Sequence, residues 1–301
     1  MGNSSLDNRS RFVRTHYFSE RGKMDYQITV LAENTVDGLI GVVAEHGFSL
    51  FIEREGENIL FDTGQGLAIL NNSLVLNKDL RSIDKIILSH GHGDHSGGLA
   101  DVLQIRGDVD VIAHPGIFLE RYKVAKKKKK KKFVGMPHNR AFLEGLGARF
   151  QMTEDFQEIS KGIYITGEVP RKNSFEKGDP DLYAKENGQL VPDPFVDDLS
   201  LVLDTKEGLI IILGCAHKGL INILDHINQK LGTKKIRAIM GGTHLKSADH
   251  EQLVWTMKEL ERFDIEGLYV SHCTGMKASI MLAEKLGKLF IPLNAGSVVE
   301  F

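Results

Sequence analysis

The chain has 301 residues and 42% hydrophobic content, enough for a substantial core, and points to a globular protein of one large or two small domains. Lys plus Arg (38) against Asp plus Glu (40) leaves −2, so the whole-molecule field argues neither for nor against an anionic partner, and any anion attraction must be local. No apolar run has the length of a membrane span, and the polar start Met1-Gly2-Asn3-Ser4-Ser5 lacks the apolar core of a secretory signal. Leu6 stands where a myristoylation motif needs Ser or Thr, so a cytoplasmic location is expected. The only cysteines, Cys215 and Cys273, make no disulfide framework; each lies close to a histidine and reads as a site residue.

Residues 1–24 are polar and without period, and a loosely held leader is expected there, followed by a single domain over 25–301. Short apolar runs at 28–31, 39–44, 48–53 and 58–61, separated by turn residues, predict an antiparallel opening meander. Asp62 follows its last strand directly; it can close an Asx-type turn or hold a metal-bound imidazole from behind. His46, in Glu45-His46-Gly47, is a lone loop histidine, a type more often structural than catalytic.

A buried strand at 85–88 then leads into Ser-His-Gly-His-Gly-Asp-His-Ser-Gly-Gly over 89–98. Gly91 and Gly93 let the backbone fold tightly enough for neighbouring side chains to converge. His90, His92 and His95 offer imidazole nitrogens and Asp94 a hard anionic oxygen, a set that suits zinc, with iron or manganese as alternatives.

A short helix is predicted at 99–104 and a buried strand at 109–113, ending in His114-Pro115; His114 is either a turn residue or a further ligand. The unbroken lysines at 126–132 repel one another and predict an exposed flexible loop, with a grip on phosphate as the functional alternative. Strands are predicted at 148–153 and 162–167. Segment 168–198, polar and carrying four prolines, reads as a long lid or binding loop.

A hairpin over 199–204 and 209–213 delivers Gly214-Cys215-Ala216-His217. Leu220, Ile223, Leu224, Ile227 and Leu231 fall at helical spacing, and the strand at 236–240 runs into Gly241-Gly242-Thr243-His244. Ser247 is expected to cap a helix with Leu253, Met257 and Leu260 on its core face, before a strand at 267–270 and Ser271-His272-Cys273-Thr274-Gly275. His217, His244 and His272 each stand at a strand exit, which places those exits around one cleft.

The order His-x-His-x-Asp-His after a buried strand resembles the metallo-β-lactamase superfamily. Glu45-His46-Gly47, Asp62-Thr63-Gly64, Gly214-Cys215-Ala216-His217, Gly241-Gly242-Thr243-His244-Leu245 and His272-Cys273-Thr274-Gly275 narrow the resemblance to its dihydropterin ribofuranosylaminobenzene phosphate synthase type, over residues 25–301. The resemblance implies an α/β fold, an αβ/βα sandwich with the metal site at one edge. It implies two divalent transition-metal ions, His90, His92 and His217 on the first and Asp94, His95 and His272 on the second, with Asp62, His46 and His114 as further candidates. An acidic residue usually bridges the metals at the end of the hairpin strand; Cys215 stands near that place and puts the second metal's occupancy in question. The expected function is a metal-dependent enzyme acting on a small phosphorylated or diphosphorylated substrate, either a dihydropterin-transferring synthase or a hydrolase of phosphoesters or lactones. Asp94 is expected to act in catalysis, and Thr243, His244 and Thr274 to contact substrate. A nuclease ranks lower, because no aromatic residues interleave with the lysines. A structural zinc site is disfavoured because the candidate ligands exceed the four that close one.

Overall fold

The computed structural model describes residues 25–125 and 130–301; the predicted leader and lysines 126–129 lie outside them. Strands β1 (Gln27–Ala32), β2 (Ser49–Arg54) and β3 (Glu57–Phe61) form the opening antiparallel meander. The strand expected at 39–44 is not there. Asn72, from helix α1 (Ile69–Val75), accepts from Val43 N at 2.9 Å and donates to Val43 O at 2.8 Å. The backbone groups a sheet ladder would use are therefore already bonded, and the segment stays a loop.

The chain then crosses to β4 (Lys85–Ile87), turns through α2 (Gly93–Ser96) and α3 (Leu99–Arg106), and returns in β5 (Val109–Ala113). Next come β6 (Arg121–Ala125), β7 (Lys130–Phe133), α4 (Arg140–Gly145) and β8 (Ala148–Met152). The first sheet has the order β1-β2-β3-β4-β5-β8 after an edge strand from the chain end, and β3, β4, β5 and β8 run parallel. Lys130, Lys131 and Lys132 are exposed as expected but lie in β7, paired with β6, and not in a flexible loop; Phe133 sets its ring edge-on to Tyr122 and anchors the pairing.

Strands β9 (Gln157–Ser160) and β10 (Ile163–Ile165) begin the second sheet. The long segment that follows is not structureless: it carries the hairpin β11 (Leu182–Glu186) and β12 (Gln189–Pro192), which joins β6 and β7 in a small four-stranded sheet. The hairpin β13 (Ser200–Thr205) and β14 (Gly208–Leu213) leads to α5 (Leu220–Leu231), β15 (Ile236–Gly242), α6 (His250–Leu260), β16 (Leu268–Ser271), α7 (Met276–Leu286) and β17 (Phe290–Pro292). β14 to β17 run parallel, and β18 (Val298–Glu300) closes the edge of the first sheet against β1. Asp249, not Ser247, caps α6, its carboxylate accepting from Gln252 N at 2.8 Å; Ser247 is taken up in a short 3₁₀ turn.

The two large sheets pack face to face around Ile28, Val30, Leu50, Ile87, Leu201, Ile210, Ile212 and Met240. α1, α3 and α4 cover the outer face of the first sheet, and α5, α6 and α7 that of the second, giving the αβ/βα sandwich. β14 shows why its sequence is apolar throughout: Ile210 and Ile212 point into the sandwich while Leu209, Ile211 and Leu213 meet the helices. Each such side chain contributes about 1.5–3 kcal/mol on burial. No helix among the described residues is long and apolar enough to cross a membrane.

Candidate metal centre

β14, β15 and β16 are parallel neighbours, so their exits open on one edge of the sandwich, carrying His217, His244 and His272. From the facing sheet, the exits of β3 and β4 bring Asp62 and the 89–98 loop to the same edge. The turns are tight. Among the described residues, seven non-glycines have positive φ, and Asp62 (57°), Phe195 (50°), Ala216 (56°), His244 (50°) and His272 (52°) are five of them. Strain of this kind persists where surrounding structure overdetermines it, and here it is concentrated at the site. Gly91 has no alternative, since a Cβ there would fall 2.0 Å from Ile117 O.

His90, His92 and His217, all buried, form the first cluster. His90 Nε2 lies 3.0 Å from His92 Nδ1 and 3.3 Å from His217 Nε2. Ser89 Oγ gives its proton to Asp62 Oδ2 (2.7 Å), so His90 Nδ1, 2.9 Å from that hydroxyl, is the ring's donor and Nε2 is left as a lone pair. His92 Nε2 and His217 Nδ1 are buried with no hydrogen-bond partner. Burial, with neighbouring positive charge, holds His90 and His217 well below the usual histidine range and lowers His92 to about 3. Neutral imidazole is the form that binds metal. Tetrahedral zinc at about 2.0–2.1 Å from each nitrogen sets neighbouring nitrogens about 3.3–3.4 Å apart, close to the spacing of this cluster.

The second cluster adjoins it. His95 Nε2 lies 3.1 Å from His272 Nε2 and 3.1 Å from Cys215 Sγ, and Asp94 Oδ2 lies 3.5 Å from His272 Nε2. Behind His95, Asp62 Oδ2 accepts from Nδ1 at 2.7 Å, which makes Asp62 the residue that fixes the imidazole rather than a mere turn former. Burial alone would lower the His95 pKa, but Asp62 and Asp94 raise it to about 9. The surrounding carboxylates thus demand positive charge at this ring, from a proton or a cation. Cys273 Sγ accepts from His244 N at 3.2 Å and lies with Cys215 and His272 in one group of ligating atoms. Cys215 is pushed up by burial, whereas burial at Cys273 is outweighed by a hydrogen bond from Cys215 and by His244 and His272 beside it, which lower its thiol. The donors of both clusters fit divalent transition metals.

The remaining candidates fall differently. His46 is exposed, stacks on His272 and sets Nε2 3.2 Å from Asp94 Oδ2. His114 is turned away: Nδ1 accepts from Gly116 N (2.9 Å) and Nε2 meets Glu168 Oε1 (3.1 Å), so it takes no part in either cluster. Thr243 Oγ1 donates to Thr274 Oγ1 at 3.0 Å, and both are buried against each other. His244 sets its ring centroid 4.2 Å from that of His217, tilted by 50°, and lines a small cavity with Glu176, Ser247 and Gln252; burial would lower its pKa, but Asp179, 3.5 Å away, and Cys273 raise it to about 10.

Several residues at the site escaped the sequence. Phe195 stacks flat on His217, with centroids 4.1 Å apart. Asp197 Oδ2 accepts from Gly91 N at 2.8 Å and its other oxygen pairs with the fully buried Arg121 at 2.5 Å, so the histidine loop is moored to the sheet carrying β6. The pair Asp197-Asp198 before β13 was the one visible signal, two acids leading into an apolar strand. Asn34 carried none.

The model of the metallo-beta-lactamase superfamily matches residues 42–272. The chain is 36% identical over 293 residues to the 7,8-dihydropterin-6-methyl-4-(beta-D-ribofuranosyl)-aminobenzene-5'-phosphate synthase of Methanocaldococcus jannaschii, covering 93% of this chain and 98% of that protein. The crystal structure of Tm1679, a metal-dependent hydrolase of the beta-lactamase superfamily, superposes with a TM-score of 0.79 at 26% identity, over 92% of this chain and 99% of that one. A diphosphatase of the PhnP family shares the fold at a TM-score of 0.53 and 13% identity, over 92% of this chain and 98% of that one. Matched over most of its length by the family model and by a relative of this identity, the chain belongs to the metallo-β-lactamase superfamily of enzymes.

Proposed function

We propose that the protein is a cytoplasmic, divalent-metal-dependent enzyme, one domain over residues 25–301, that transfers a dihydropterin from its diphosphate ester to an aromatic acceptor. The observation that carries the reading is the pair of adjoining ligand clusters with Cys215 between them, 3.1 Å from His95 Nε2. His90, His92 and His217 would hold one cation and Asp94, His95 and His272 the other, zinc first and iron or manganese as alternatives. Cations held there supply Lewis acidity toward a phosphate or diphosphate leaving group. A thiol is softer and larger than a carboxylate, and it spans two cations less tightly. That favours neutralising a departing diphosphate over activating water.

The protein's own residues do the rest. Asp62 and Ser89 orient His95 and His90, Phe195 shields His217 from water, and His244, held cationic by Asp179, faces the cavity beside His217 as a contact for substrate phosphate. Thr243, paired with Thr274 behind it, shapes the wall next to it. The similarity to Tm1679, a metal-dependent hydrolase, supports a second reading, hydrolysis at the same centre, for which we take phosphoesters or lactones as the candidate substrates.

Elemental analysis and substrate assays on wild type, His92→Ala, His272→Ala and Cys215→Asp decide between them. The transfer reading expects metal loss and inactivity in the two histidine variants, turnover of a dihydropterin diphosphate with an aromatic amine by wild type, and a gain of simple-ester hydrolysis in Cys215→Asp. Efficient wild-type hydrolysis of simple esters, unaltered by Cys215→Asp, overturns it in favour of the hydrolase. Full metal content in both histidine variants removes the ligand assignment itself.

A further inference from the structure

The small four-stranded sheet sorts its basic residues by face. Side chains alternate along a strand, so on β6 Arg121, Lys123 and Ala125 share one face, and Tyr122 and Val124 the other. The register with β7 sets Lys132 opposite Lys123 and Lys130 opposite Ala125, on the face of Arg121, whereas Lys131 and Phe133 lie behind with Tyr122. Arg121 shows where the first face looks. Its guanidinium pairs with Asp197, which accepts from Gly91 N, and Gly93 N donates at 2.9 Å to Val134 O, the first residue beyond β7. Lys123, Lys130 and Lys132, all exposed, therefore extend the face that meets the histidine loop outward from the metal centre.

The row begins beside the cavity that His244 lines. Lys123 is in register with Leu182 on β11, three residues after Asp179, and Asp179 Oδ2 lies 3.5 Å from His244 Nε2. Burial would raise the Asp179 pKa, but His244, the Asp181 N–H and Lys123 hold it below the ordinary carboxylate value. Asp179 is thus shared between a cationic ring and a lysine. Lys130 and Lys132 form no ion pair among the described residues, although Lys185, on the opposite face of the same sheet, is neutralised by Glu120 at 2.8 Å. Like charges set opposite one another across a strand pair are destabilising. Strands about 4.8 Å apart and a rise of about 3.3 Å per residue put the three lysines close enough for their flexible stems to converge on one phosphate.

We propose that Lys123, Lys130 and Lys132 form a second anion site, apart from the metal centre, that holds a phosphate monoester borne by the substrate away from its reacting bond. An anion bound there relieves the repulsion within the row, and the reacting end of the substrate is left to His244 and the centre. The site rests on the reading that His244 and the centre receive the reacting phosphate group, and the test lets the two fail separately.

The test measures binding rather than turnover. The full chain as purified is titrated by calorimetry with 4-aminobenzyl phosphate and with 4-aminobenzyl alcohol, aromatic amines that differ only in the phosphate; circular dichroism checks each variant's fold. Wild type should prefer the phosphate ester, and the preference should shrink as salt rises, because exposed charges are screened. Lys132→Gln should cost up to about fivefold of that preference, the scale of one exposed ion pair, and the combined Lys123→Gln, Lys130→Gln, Lys132→Gln variant at least about fivefold. Lys131→Gln removes the same charge from the next position on the opposite face and should leave the preference as it is. If Lys131→Gln weakens the phosphate ester as much as Lys132→Gln, the effect is one of net charge and the site is wrong. If the combined variant keeps the wild-type preference, the phosphate lies elsewhere and the proposal is overturned; should that variant also lose binding of a single-stranded oligonucleotide, the face serves nucleic acid instead. A face-dependent preference in a protein that transfers no dihydropterin keeps the anion site and removes the transfer reading, and transfer to an aromatic amine without such a preference does the reverse.

Discussion

Arg121→Met tests whether the histidine loop is held by a buried ion-pair network. The Arg121 side chain is fully buried; Nε donates to Asp193 Oδ2 at 2.8 Å, Nη2 to Asp197 Oδ1 at 2.5 Å and Nη1 to Gly116 O at 3.3 Å. Methionine fills similar length but leaves two buried carboxylates without a cation. Removing one partner of a buried pair costs about 3–5 kcal/mol. At about 2 °C per kcal/mol, the lower end for chains of 150–250 residues and fitting for a longer one, Tm should fall by about 6–10 °C. The loss should depend on pH. Burial already raises the Asp197 pKa despite Arg121, and without the guanidinium it rises further. An acid whose folded pKa lies above its unfolded value near 3.9 stabilises the fold while protonated, so the deficit is small near pH 4 and grows as pH climbs through the folded pKa. Differential scanning calorimetry across that range is the assay, with Arg121→Lys expected to fall between wild type and methionine because it keeps the charge and loses the fork. A Tm change under about 2 °C at neutral pH, or a deficit that ignores pH, would refute the reasoning.

Two further outcomes are expected. Asp62→Asn keeps a residue type that tolerates the 57° φ while removing the charge behind His95, and should lower metal affinity by about 10–100-fold in competition with a chelator; unchanged affinity would show that Asp62 only shapes the turn. In metal-free protein, His90, His92 and His217 have depressed folded pKa values, so stability should fall as pH drops below about 6.5, by up to about 1.4 kcal/mol per unit for each. His95, raised to about 9, acts in the opposite direction, its contribution present below about 6.5 and lost as pH rises through 9. Urea unfolding should therefore show a stability maximum near neutrality, and a profile flat from pH 5 to 9 would contradict the burial and pairing described.

The second sheet was legible because β13 to β16 are buried on both faces and read as continuous apolar runs with turn residues between them. The strand-exit histidines were legible because parallel neighbours must open on one edge. What stayed hidden depends on partners distant in sequence. The apolar run at 39–44 reads as a strand until Asn72 takes its backbone groups. β11 and β12 are short, polar and proline-flanked, and their hairpin joins a sheet through the edge that β6 offers to β11. β7, made largely of lysines, has a pattern that argues for repulsion and is held by register with β6 and by Phe133. Asn34, an ordinary loop asparagine by sequence, gains meaning only when His46 and His272, 238 residues beyond it, arrive on either side of its amide. Asp62 lay between two readings until the strand exits met.

The row of exits at β14, β15 and β16 also bears on how such a protein can change. Adjacent strands sit about 4.8 Å apart, so each exit is a socket at a fixed pitch, holding one donor beyond the last residue that packs in the core. The left-handed backbone at Ala216, His244 and His272 ends each strand abruptly and uncouples the socket from the packing beneath it. A replacement at such a position exchanges one ligand or substrate contact for another while Ile210, Ile212 and Met240 stay where they are. Specificity can therefore drift one socket at a time, and relatives with the same sandwich can divide between chemistries without passing through an unfolded intermediate sequence.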